Sequence, residues 1–178
     1  MNPLQTTNYK LPTNKGYTLI ELLLYISLVS VLLFSLSYFW ANTVTARIKN
    51  QTILEVEEVG TEAMNNITQS IRNADSITAP TAGVSGQSLT LANSNVAINP
   101  TVFDLASGTL RIKEGSNAVV NITSDKLTIS NLSFANLSNT ASPGIIRVTF
   151  TVTYKNTTGR NEYDFSKTFY DSAAIRKK

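Results

Sequence analysis

The 178-residue chain contains no cysteine and no histidine. Without thiols there is no disulfide framework and no thiolate nucleophile, and without imidazole the usual Cys/His zinc sites and Ser-His triads are closed off. Charged residues make up only 15% of the sequence, and no recognisable nucleophile motif stands among them. Asp104, Asp125, Asp164 and Asp171 are spread too widely for a calcium loop. The expectation is a protein that is not an enzyme and uses neither metal nor cofactor. An excess of charge is missing as well. Lys and Arg number 15 against 12 Asp and Glu, but Lys10 and Lys15 lie in a stretch, 1–16, that has no acid, so the rest of the chain counts 13 against 12. A net charge near +1 gives no argument for nucleic acid, and Arg176-Lys177-Lys178 reads as a solubilising group. No internal repeat or extended low-complexity segment is present.

A further absence is the informative one. Residues 22–41 contain neither a charge nor a proline. Twenty residues at about 1.5 Å each span roughly 30 Å of helix, the hydrocarbon thickness of a bilayer. Glu21 stands at the mouth of this run, where a carboxylate costs about 2.5–3.5 kcal/mol unless a partner neutralises it. It is therefore a functional-site candidate by default. The preceding residues 1–16 are polar, include Pro3, Pro12 and two lysines, and have no apolar core of their own, unlike a cleaved secretory signal.

The string Gly16-Tyr17-Thr18-Leu19-Ile20-Glu21-Leu22-Leu23-Leu24 resembles the class III signal of type IV prepilins and type II secretion pseudopilins. That resemblance implies cleavage by a membrane peptidase between Gly16 and Tyr17, N-methylation of Tyr17, and packing of the apolar helix as the stem of a helical filament. Glu21 becomes the assembly residue, with Thr18 beside it as a further hydroxyl. It also implies the partners: other pilin subunits, the prepilin peptidase, an inner-membrane platform protein and an assembly ATPase on the cytoplasmic side. Tyrosine stands where most members have phenylalanine. The chain lacks the cysteine pair of many major pilins and the proline they carry within the run, and the missing proline implies either a straight stem or a position away from the bulk shaft.

The spacing has a physical reason of its own. When apolar helices stagger past one another, the α-ammonium of one subunit and the carboxylate of its neighbour are the two charges in an apolar layer, and pairing them removes both penalties. A plain signal anchor whose Glu21 snorkels to the interface is the competing reading. Lys10 and Lys15 balance Arg47 and Lys49 across the run, so charge does not set orientation, and the amino-terminus-inside placement rests on the resemblance. Tyr38, Phe39 and Trp40 suit either an interfacial anchor or packing between stems.

Beyond the run, Ile53, Val56, Gly60, Ala63, Ile67, Ser70, Ile71 and Ala74 recur at steps of three and four, one amphipathic stripe. No proline intervenes before Pro80, so the spacing predicts a helix continuing to about residue 79. Gly60, Ala63 and Ser70 suit a sheet lying close across the helix better than a coiled-coil seam. From residue 80 the pattern turns to period two, with strands expected at 88–92, 95–98, 109–114, 118–122, 126–130, 145–154 and 162–169. Ile146, Val148, Phe150, Val152 and Tyr154 should face inward, and 155–160 should return an antiparallel partner bringing Tyr163, Phe165 and Phe169 to the core. Six Asn-x-Ser/Thr strings, among them those at Asn121 and Asn136, are expected by chance in a chain this rich in those residues.

The expected fold is α+β and pilin-like: a leader (1–16), an apolar membrane or filament-core helix (17–41), its amphipathic continuation (42–79), and a β-rich head (80–178) of antiparallel sheet packed on the helix. The head is similar to broad-headed minor pilins and J-type pseudopilins through Ile71-Arg72-Asn73-Ala74-Asp75-Ser76-Ile77 and Leu127-Thr128-Ile129-Ser130-Asn131-Leu132-Ser133-Phe134. The resemblance implies a filament subunit, resident in the inner membrane before assembly and then in an extracellular or periplasmic filament. The alternative from another class is an anchored binding or adhesion protein that never polymerises.

Overall fold

The computed structural model describes residues 16–139 and 144–176, so all of the expected leader 1–16 but Gly16 lies outside the described residues, as do residues 140–143, 177 and 178. The chain divides into two units between Val44 and Thr45.

The first unit is the amino-terminal part of helix α1, which runs Leu19–Asn73. Its large apolar side chains are uncovered, with Leu23, Phe34 and Trp40 between 56% and 77% exposed. Among the described residues this is the one helix long and apolar enough to cross a membrane, with a mean hydropathy of 2.4 over its best window. Its serines do not disturb that character. Ser27, Ser30, Ser35 and Ser37 each donate a hydroxyl to a carbonyl one turn back, at 2.7–2.9 Å. These four hydroxyls can thus meet apolar surroundings with their donors satisfied.

The second unit begins at Thr45 and contains the rest of α1 and nine strands. They are β1 (Ser76–Ala79), β2 (Ser85–Gly86), β3 (Leu89–Ala92), β4 (Thr101–Ala106), β5 (Thr109–Glu114), β6 (Val120–Asn121), β7 (Leu127–Asn136), β8 (Ile145–Tyr154) and β9 (Ser166–Ala174). All pairings are antiparallel. The expected head sheet is two sheets, one of five strands in the order β1-β3-β4-β5-β6 and one of four in the order β2-β7-β8-β9.

The stripe on α1 is the core face. Val56, Ala63, Ile67 and Ile71 are fully buried, joined by Thr52, Gly60, Met64 and Thr68. Against them pack Leu89, Leu91 and Phe103 of the first sheet and Phe134, Ile146, Val148, Phe150 and Val152 of the second. Each large side chain fully withdrawn from water contributes about 1.5–3 kcal/mol. Period-two burial in β8 follows the expected alternation, and Tyr154, Phe165 and Phe169 pack at the edge of the cluster. Gly60 sets how closely α1 approaches the sheet, because a Cβ there would lie 2.2 Å from the ring of Phe169. Lys126 and Lys167 reach Glu55 and Glu57 on α1 at 3.6 and 2.7 Å. Such exposed pairs add little beyond the packing.

Several boundaries differ from expectation. The helix ends at Asn73, not near residue 79, and Ser76–Ala79 is strand β1. The Asp75 N–H donates to the Ala92 carbonyl at 2.9 Å, which starts the pairing of β1 with β3 and takes the backbone out of the helix. Residues 96–98 form a 3-10 turn rather than a strand, because the Asn95 side chain accepts the Ala97 N–H. β6 is two residues long, and residues 161–163 are a second 3-10 turn, so β9 starts at Ser166. β4 was not expected at all. It pairs with β5 across a two-residue turn, Ser107-Gly108, with both φ values positive (51° and 77°), the geometry that matches strand twist in a tight hairpin.

Candidate functional site

Gly16, Tyr17 and Thr18 precede the helix in non-helical backbone and are exposed. A Cβ at Gly16 would meet no described atom within 4 Å. Thr18 is the residue before the first helical turn. Its carbonyl accepts from the Leu22 N–H at 3.1 Å and its hydroxyl accepts from the Glu21 N–H at 3.3 Å. Thr18-Leu19-Ile20-Glu21 is thus the threonine arm of a capping box, with the acid at the third helical position and near the positive end of the helix dipole.

The Glu21 carboxylate is also engaged along the helix: Tyr25 Oη donates to Glu21 Oε1 at 3.3 Å. Tyr17 closes the group, its ring meeting that of Tyr25 edge-on at 6.2 Å and 82°. Thr18 and Glu21 thus meet through the capping bond and Tyr17 joins them through Tyr25, while Gly16 lies before the helix next to Tyr17 in sequence. Tyr25 is the member that sequence reasoning missed. Its position four residues after Glu21, the spacing of neighbours on a helix face, is the signal that finds it.

Among its described residues, the second unit holds no comparable concentration of chemistry. Among the described residues, no three His, Cys, Asp or Glu side chains gather as a metal site. Asp104 is taken by Arg111 in a two-pronged pair at 2.8 and 2.7 Å. A cavity of about 400 Å³ is lined by Lys126, Tyr154, Lys155 and Tyr163, whose two phenol rings stack at 5.7 Å.

Near Thr45, Arg160 meets Glu162 at 2.8 Å, and the Glu162 side chain is only 13% exposed. The Arg160 guanidinium holds the Glu162 carboxyl below the usual carboxylate range, helped by the residue's own N–H and by the Thr45 hydroxyl. A carboxyl depressed in the folded state stabilises above its unfolded value, and that stabilisation is lost as the pH falls through its folded value. Amide exchange at 161–164, corrected for intrinsic rate, is therefore expected to accelerate below about pH 4, near the ordinary glutamate value. In Glu162→Gln that acceleration is expected to vanish; if it persists, another group holds the loop.

Comparison of the chain with protein-family models, with curated proteins and with solved structures returned no match.

Proposed function

We propose that the chain is a structural subunit of a type IV pilus or type II secretion-like filament. It is processed after Gly16, N-methylated on Tyr17, and assembled through its amino-terminal helix. The observation that carries this reading is the pairing of one carboxylate, Glu21, with a 20-residue uncharged helical run directly behind an exposed Gly16-Tyr17 bond. Before assembly the run lies in the inner membrane as a single pass. In the filament it packs against the runs of sister subunits, and Glu21 accepts the amino group of Tyr17 from a neighbour.

What supports a structural role is the uneven distribution of chemistry. The head presents packed sheets and scattered ion pairs, whereas the helix start presents a charge that needs a partner in an apolar layer. The chain carries Glu21, so it can follow another subunit in the array and need not sit at a tip. The prepilin peptidase, a platform protein and a cytoplasmic ATPase are the partners this cycle needs, and the ATPase does not touch the head.

The test is the intact mass and amino-terminal sequence of the protein from native membranes and from sheared surface material. A chain beginning at N-methylated Tyr17 and present in the sheared fraction is the expected result. A chain that keeps residues 1–16 and stays wholly in the membrane would replace the filament with a signal-anchored binding protein.

A further inference from the structure

Tyr25 places a phenol hydroxyl inside the apolar run, one helical turn after Glu21. Its neighbours Leu22, Leu23, Leu24, Ile26, Leu28 and Val29 offer no acceptor. The nearby hydroxyls of Ser27 and Ser30 are turned to the carbonyls of Leu24 and Ile26. A phenol in hydrocarbon needs a partner, and the partner it has is a Glu21 oxygen, 3.3 Å away. The edge-on contact with Tyr17 limits the swing of the Tyr25 ring from the other side.

We propose that Tyr25 is a positioning residue for Glu21. It holds one carboxylate oxygen against the helix and leaves the second to meet the incoming positive charge. This rests on the filament reading for its consequence and on the Tyr25-Glu21 contact for its cause. Two effects follow. In the lone subunit the phenol gives the carboxylate a donor while it waits in apolar surroundings, where such a bond is stronger than in water. During docking, the carboxylate is held in one orientation instead of being sampled among rotamers, so less freedom is lost when the pair forms. Tyr17 belongs to both halves of the event, since the residue whose amino group is donated forward also braces the tyrosine that orients the acceptor behind it.

The experiment uses the full chain with Tyr25→Phe, which keeps the ring and removes the hydroxyl. Processed mass and membrane content should match the wild type, while the amount in sheared filaments falls about tenfold, the scale of one charge-assisted hydrogen bond. A second measurement separates positioning from ring packing and needs no filament. The phenol C–O stretch of Tyr25, isolated as the infrared difference between wild type and Tyr25→Phe in membranes, should shift when Glu21 is replaced by glutamine. A shifted band with reduced incorporation upholds the proposal. An unshifted band, or Tyr25→Phe filaments within a factor of two of wild type, overturns it. Absence of the wild-type chain from sheared material counts against the filament reading instead, and the infrared comparison then still decides whether Tyr25 holds Glu21.

Discussion

Under the filament role proposed for the chain, Glu21→Ala is expected to lower incorporation at least about 100-fold while leaving membrane insertion and cleavage at Gly16 unchanged. The size follows from the two sides of the equilibrium. In the unassembled subunit the substitution removes a carboxylate that costs about 2.5–3.5 kcal/mol near hydrocarbon, so the membrane form becomes more comfortable. In the filament it leaves the neighbour's ammonium without a counter-charge. Both changes act against assembly, and the first alone is worth about two orders of magnitude, so about 100-fold is the smallest loss expected. The capping bond from the Glu21 N–H to Thr18 is a backbone donor and survives the change, so the helix start is kept. Quantifying the subunit in sheared and membrane fractions of the two strains gives the answer directly. Equal incorporation of the alanine variant would leave the non-polymerising anchor as the better description.

Gly60→Ala is expected to destabilise the head, against the usual direction of that substitution. In an exposed helix interior alanine improves on glycine by about 0.5–1 kcal/mol. Here the added methyl would lie 2.2 Å from Cε2 and Cζ of Phe169. That ring is not free to turn aside, because it stacks on the fully buried Phe150 with centroids 5.7 Å apart. Overpacking of this kind costs about 1–3 kcal/mol, which outweighs the propensity gain and lowers the melting temperature by roughly 5 °C in a domain of this size. Trimming the obstacle in Gly60→Ala/Phe169→Leu should recover most of the loss. A single variant that melts above the wild type would show that α1 and β9 do not approach as closely as described.

The candidate site was readable because its residues are close in sequence. Gly16, Tyr17, Thr18 and Glu21 fall within six positions, and a charge at the edge of an uncharged run marks itself. The stripe on α1 was readable for a related reason, since helical burial repeats locally and Val56, Gly60, Ala63, Ile67 and Ile71 keep its step. The strand boundaries were harder because pairing partners are remote. Nothing local stops a helix at Asn73; the backbone of β3 does, through the Asp75-Ala92 bond. β7 was expected to end at residue 130 because its alternation breaks there. Asn131 adopts a φ of 54° at an irregularity between Ser130 and Ser133, so the buried set switches from Leu127 and Ile129 to Leu132 and Phe134. A bulge changes parity, and a period-two reading sees the change as an end.

The bond between Lys167 and Glu57 joins residues 110 positions apart, and that separation sets a schedule for biosynthesis. At about 5–20 residues per second, α1 is complete roughly 5–20 s before β9 leaves the ribosome. Throughout that interval Val56, Ala63, Ile67 and Ile71 have no ninth strand to bring Phe169 over Gly60. The nascent head therefore spends its first seconds as an amphipathic rod with an open apolar flank, vulnerable to capture by sister chains or by a holding chaperone. A slow codon cluster ahead of residue 166 would lengthen that exposure without altering a single amino acid.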